Sequence, residues 1–172
     1  TPDFGIGTVN YKIADVPRER FLGVSWGYYK AKQSSATLTI NHALSHNWKI
    51  TAAAGYRNYA TELLSAGRPT LTNTDGTWIR GVQGSDVKDN YFIGQVDLKG
   101  IFKTGKMEHQ FLFGVDTDTY ETTTTGYTTL ARYDTINIYD TKQYTIRTDI
   151  PVLTKATITT APTNRVGVYT QD

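Results

Sequence analysis

Five stretches of this chain alternate apolar and polar residues with a period of two, and no stretch holds a helical period for more than a turn or two. In residues 36–44, Ala36, Leu38, Ile40 and Leu44 share one face and Thr37, Thr39, Asn41 and Ala43 the other, with His42 interrupting the apolar side. In 48–59, Trp48, Ile50, Ala52, Ala54 and Tyr56 oppose Lys49, Thr51, Ala53, Gly55 and Arg57. Residues 91–102 set Phe92, Val96, Leu98 and Phe102 against Gln95, Asp97 and Lys99, and 107–120 set Phe111, Phe113 and Val115 against Gln110, Gly114 and Asp116. The last, 165–171, sets Val166 and Val168 against Gly167, Tyr169 and Gln171. Because side chains alternate across a strand, each segment is predicted to be a strand with one apolar and one polar face.

The connections are of two kinds. Ser45-His46-Asn47 and Thr104-Gly105-Lys106 are tight turns, the second of hairpin type. The links Ser65 to Asn90 and Gly126 to Asn164 are long, and Thr1 to Ser35 carries no period. Short turns at one rim and long loops at the other are the pattern of membrane β-barrels, whereas loops this long are uncommon in compact soluble domains. Aromatics at strand ends (Trp48, Tyr56, Tyr59, Tyr91, Phe102, Tyr120) suit the girdles of such a barrel. The same pattern also describes soluble sandwiches and jelly rolls, so a soluble β-rich module that binds carbohydrate or mediates adhesion through Trp and Tyr is the alternative.

Composition narrows the functional classes. The chain has 29 Thr and 12 Tyr, both strand formers, and only 38% hydrophobic residues, as expected where every strand has a polar face. A net charge of +2 is too mild for a nucleic-acid partner. With no cysteine there is neither a disulfide nor a thiolate metal site. No apolar run approaches the ~18–20 residues of a transmembrane helix, which leaves a barrel open because its strands barely register on hydropathy. The chain starts at Thr1 without Met or signal peptide and stops at Gln171-Asp172 inside a strand pattern, so it is expected to be a piece of a longer protein.

Four strings carry a family resemblance. Asp15-Val16-Pro17-Arg18-Glu19-Arg20-Phe21-Leu22-Gly23, followed by Trp26 and Tyr28, resembles the segment before a barrel strand in ferrichrome-type TonB-dependent outer-membrane siderophore receptors. Leu44-Ser45-His46-Asn47-Trp48-Lys49-Ile50 is similar to their periplasmic turn, and Phe102-Lys103-Thr104-Gly105 through His109 to Gly114-Val115-Asp116 to one of their hairpins. Gly167-Val168-Tyr169-Thr170-Gln171-Asp172 resembles the strand that follows a large extracellular loop. The resemblance implies an all-β fold of antiparallel up-and-down strands, part of a transmembrane barrel of about 22 strands with long extracellular loops. It implies residues 1–172 as a partial barrel domain, with the plug and the remaining barrel absent. The function implied is binding and import of a ferric siderophore with TonB-supplied energy in the outer membrane of a Gram-negative bacterium. The expected partners are that chelate, membrane lipid, and TonB through the missing plug. The siderophore is the transported ligand, and no cofactor is expected.

Chemistry offers little beyond ligand binding. His42, His46 and His109 are scattered with no metal-ligand spacing, so no protein metal site is expected. Asp97, Asp116 and Lys99 read as ordinary lumen charges, and Ser34 and Ser35 lack a His–Asp partnership, so no enzyme is expected. Bulky, partly apolar chelates suit aromatic rings and Arg forks. The loop residues Trp26, Tyr28, Trp78, Arg80 and Tyr133 are candidates on that ground. By resemblance, Phe4 and Tyr127 fall near aromatic positions of hydroxamate receptors, while a third such position, after Tyr56, carries Arg68-Pro69 instead.

Overall fold

The computed structural model describes residues 7–172, so Phe4 lies outside the described residues. It is all-β, with no helix among those residues. The strands are β1 (Thr8–Val9), β2 (Lys12–Ile13), β3 (Tyr28–Ala43), β4 (Trp48–Ala66), β5 (Thr70–Leu71), β6 (Thr77–Thr104), β7 (Met107–Tyr127), β8 (Leu130–Asn137) and β9 (Lys155–Gln171). The larger sheet runs β3-β4-β6-β7-β9 in space, with β8 pairing antiparallel to the start of β6. The sheet does not close among the described residues: β3 and β9 are its end strands. A small second sheet, β2-β1-β5, includes one parallel pair, β1 with β5, which the all-antiparallel expectation did not contain.

The strands are longer than the alternating segments. β3 begins at Tyr28, inside the stretch expected to be irregular, and β6 and β8 occupy much of the two expected loops. The cause is chemical. In stretches such as Gln83-Gly84-Ser85-Asp86 and Thr122-Thr123-Thr124-Thr125, both faces are polar, so the period-two signal vanishes while hydrogen bonding and threonine's strand preference continue.

Two tight turns follow from backbone chemistry. Gly105 has φ +64° and Lys106 is not in the left-handed region, the pattern of a type II′ hairpin with glycine first. Asn10 and Tyr11 both have positive φ (46° and 63°), which makes the β1–β2 turn type I′ and gives the Thr8↔Ile13, Val9↔Lys12 register.

The chain packs as two compact units. One holds the described part of Thr1–Ala31 with Thr61–Val87 and Thr124–Thr159; the other holds Lys32–Ala60, Lys88–Thr123 and Thr160–Asp172. Among the described residues, the buried hydrophobic side chains all belong to the first. They form two clusters: Ala14, Leu71, Trp78, Ile136 and Ile138, then Val24, Ala66, Val82 and Tyr133. The second unit is a bare sheet whose Leu38, Ile40, Phe92, Val96, Phe113, Val115, Val166 and Val168 stand exposed.

Candidate functional site

The second unit sorts its residues by face, and cross-strand contacts identify the pairs. The backbone N–H of Ile101 donates to Asn47 O (2.9 Å), a Cβ on Gly55 would lie 3.1 Å from Ile93, and Arg57 sits over the Tyr91 ring. With the Thr51–Asn41, Phe102–His109 and Gly114–Tyr169 contacts, this register puts most apolar residues of β3, β4, β6, β7 and β9 on a common face, while Ile93, Ile101 and Leu112 lie on the other. At one end of the common face Trp48 stacks on Phe102, which stacks on His109, while Phe111 tilts against Trp48. At the other end, Tyr56 Oη (3.2 Å) and Asn58 Nδ2 (2.8 Å) both donate to Asn90 Oδ1. Trp48 to Tyr56 covers roughly 27 Å of strand at about 3.4 Å per residue. Between these two rims lie Ile50, Ala52, Ala54, Val96, Leu98, Phe113 and Val115, with no Asp, Glu, Lys or Arg among them; His42, opposite Ile50, is the polar exception.

The opposite face carries a series of side-chain hydrogen bonds. Thr51 Oγ1 donates to Asn41 Oδ1 (2.9 Å), and Arg165 donates from Nε and Nη2 to Asp118 Oδ1 (3.1 and 3.0 Å). Asp97 accepts from Gln95 Nε2 and from the Tyr169 hydroxyl. The Tyr169 ring lies over Gly114, where a Cβ would overlap it, so this row needs glycine for space.

The first unit contains the sequence candidates, and it separates them. Trp78 is buried in the Ala14/Leu71/Ile136/Ile138 cluster. Arg80, 2% exposed, makes a bidentate pair with Asp134 through Nε (2.7 Å) and Nη2, and its Nη1 donates to Leu22 and Gly23 carbonyls. Tyr133 is buried, with Trp26 edge-on to its ring at 5.6 Å and the Trp26 Nε1–H donating to its hydroxyl (3.1 Å). Arg147 covers the outside of Tyr133 at 4.6 Å from the ring centre and donates from Nη1 to the Tyr133 carbonyl. It also pairs with Asp149 (2.6 Å), and that hydrogen bond holds the Asp149 carboxyl below the ordinary aspartate value. These groups form an interior joint: Arg80 and Tyr133 spend their contact surface on the protein itself, and Trp78, also buried, lines a cavity of about 190 Å³ with Arg68, Gln83 and Leu130.

Tyr28 and Tyr127 remain as candidates open to a ligand. Together with Leu63, Leu64, Gly84, Asp86, Pro151 and Leu153 they line a cavity of about 180 Å³. The Tyr127 hydroxyl donates to Asp86 Oδ2 (2.6 Å), and Lys30 lies over the Tyr28 ring and beside Glu62 (3.9 Å). Sequence reasoning passed over Asp86, Asp134 and Arg147. For Asp86 a signal existed, because extending the Gly105 hairpin register past the Tyr91–Tyr120 ring contact sets Gly84 opposite Tyr127. Asp134 had none, since its partner Arg80 is 54 residues away, while the neighbouring Arg147 and Asp149 do form a local pair whose packing on Tyr133 only the fold shows. Among the described residues no three His, Cys, Asp or Glu side chains converge on a metal-sized site.

No family model matches the chain. Over 120 residues, 68% of its length, it is 27% identical to the metal-pseudopaline receptor CntO of Pseudomonas aeruginosa (strain UCBPP-PA14), and the match covers 17% of that protein. Two solved structures share its fold. The ferric preacinetobactin receptor BauA from Acinetobacter baumannii superposes with a TM-score of 0.69 at 19% identity, over 87% of this chain and 23% of that one. The ferric-catecholate import receptor Fiu from E. coli K12, in its open form, gives 0.70 at 21% identity, over 90% and 24%. The chain therefore spans about a sixth of the curated relative and about a quarter of each solved receptor.

Proposed function

We propose that this chain forms part of the wall and outward loops of a Gram-negative outer-membrane receptor that imports a metal chelate of the ferric-siderophore type. The observation that carries the reading is the two-faced sheet of the second unit. An exposed apolar face of this size, bounded by aromatics and amides at both ends, is tolerated in water only if something covers it, and lipid does so along a band ~25 Å tall. Hydrocarbon accepts no unpaired strand edge, so the outer edges of β3 and β9 pair with further strands of a closed barrel, about 22 in all. The polar face then turns to the lumen. Energy from TonB, delivered through a plug outside these residues, completes the reading.

The receptors named above differ in the chelates they are named for, which supports the class of ligand; the ferrichrome-type kinship suggested by the sequence strings is the narrower form of the proposal. Within the class, the Tyr28/Tyr127/Asp86 cavity is sized for one arm of a chelate rather than a whole one, with two rings for apolar contact and a hydroxyl–carboxylate pair for polar contact. Phe4 and Trp26 complete the candidate set. In the whole receptor, Tyr127→Ala is expected to weaken chelate binding at least ten-fold, about 1.4 kcal/mol, and Tyr127→Phe by less. Equilibrium binding across hydroxamate and catecholate ferric siderophores checks both. Unchanged affinity for every chelate that the unaltered receptor binds would remove the cavity from the site, and failure of that receptor to bind any would overturn the function.

A further inference from the structure

We propose that the Tyr28/Tyr127/Asp86 cavity takes a cationic arm of its ligand, an ammonium or quaternary ammonium group, in preference to a neutral or acidic one. The inference rests on the receptor reading above and narrows its ligand. Beside the two tyrosine rings the walls are aliphatic, from Leu63, Leu64, Pro151 and Leu153. Among the described residues Asp86 is the one charged side chain lining the cavity, and it forms no ion pair. A carboxylate offers about four lone-pair sites, and the side-chain donor that reaches Asp86 is the Tyr127 hydroxyl (2.6 Å). Beside aliphatic walls a charge interacts more strongly than in water, so an ionised partner gains most there. A neutral hydroxyl or amide would leave the negative charge standing, and a carboxylate or catecholate arm would be repelled.

The neighbouring side chains already build such an arrangement once. A Cβ on Gly84 would lie 3.4 Å from Leu63 O and 3.5 Å from Leu64 Cδ1, so Leu64 faces Gly84. Two residues along each strand, Glu62 then faces Asp86. Like charges in directly opposed positions destabilise a sheet. One of the two carboxylates has its cation: the Lys30 ammonium stands 3.9 Å from Glu62 and 4.4 Å from the centre of the Tyr28 ring. Ring, ammonium and carboxylate together are the geometry by which an aromatic face recognises a cation. Tyr127 and Asp86 supply a second ring and carboxylate, and among the described residues no lysine or arginine lines the cavity between them. A ligand ammonium completes that second trio and relieves the opposition of Glu62 and Asp86. At about 180 Å³ the space holds one such head group.

The test uses the purified whole receptor in a maltoside detergent, which carries no ammonium group. Its probes are choline and 3,3-dimethylbutan-1-ol, an uncharged molecule of the same shape. A carbodiimide with a small amine converts accessible carboxylates to amides, and mass spectrometry reads the conversion at Asp86. An excess of choline is expected to slow that conversion about ten-fold relative to the exposed Glu108, while the alcohol leaves it unchanged. Ferric hydroxamates and catecholates are then compared in pairs that differ only in ending one arm as a free amine or as its acetamide. The amine form is expected to bind about ten-fold tighter, with Asp86→Asn removing that preference and Asp86→Glu keeping it. Equal protection by both probes, protection by neither, or equal affinity for the paired chelates would overturn the inference. Protection by choline in a receptor that binds no ferric chelate would reject the import function and leave the cation site standing.

Discussion

Arg80→Ala is expected to destabilise the first unit by about 3–5 kcal/mol, the cost of leaving a buried charge without its partner. Both side chains of the Arg80–Asp134 pair are almost wholly buried. Truncation strands the Asp134 carboxylate and also removes the donor that satisfies the Leu22 and Gly23 carbonyls. Asp134 additionally accepts the Arg147 backbone N–H (3.2 Å), so the loss reaches the Arg147–Asp149 segment through a second contact. Limited proteolysis within residues 139–153 is the sensitive measurement, because cleavage follows the population of the opened segment. Removing both charges with Arg80→Met and Asp134→Leu is expected to recover only part of the stability, since it relieves the stranded charge but leaves the Leu22 and Gly23 carbonyls and the Arg147 N–H unpaired. If the single variant behaved like the unaltered protein, Arg80 would be free to face a ligand instead.

The second large effect belongs to the apolar face. Val96 lies on the row midway between the Trp48 and Tyr56 rims, which the membrane-wall reading puts near the middle of a lipid-covered band. Val96→Arg is expected to cost about 2–4 kcal/mol in the stability of the whole receptor refolded into lipid vesicles, as for a cation at a bilayer midplane. Thr39→Arg, at a similar height on the polar face, is expected to stay within about 0.5 kcal/mol. Urea titrations of the two variants side by side measure the difference. Equal costs would mean that the two faces meet the same solvent.

Legibility differed between the two units, for a physical reason. In the second, each strand carries one mainly apolar and one mainly polar face. Ile50, Ala52 and Ala54 against Thr51, Ala53 and Gly55 therefore record the fold in their alternation, and Gly105 records the turn. In the first, both faces of the strands meet protein or water of mixed character, so Gln83–Asp86 and β8 leave no period to read. The site candidates failed to sort for a related reason. An Arg in a loop reads the same whether its fork meets a chelate or an aspartate 54 positions away, and only the fold brings Arg80 to Asp134. Trp78 likewise resembles a ligand platform until Ile136 and Ile138 are seen against it. Tyr127 entered the candidates by resemblance alone, and the hairpin register that starts at Gly105 reaches it only because β7 runs to Tyr127 rather than ending at Tyr120.

The most direct test of the account is the environment of successive residues along β6. The chain has no cysteine, so single replacements at Phe92, Ile93, Gly94, Gln95, Val96 and Asp97 can each carry a polarity-sensitive fluorophore in the whole receptor in vesicles. A lipid-resident quencher is expected to act on the labels at 92, 94 and 96, with those at 93, 95 and 97 shielded from it. Quenching from the lipid that shows no alternation, or none at any of the six positions, would contradict the membrane-wall reading.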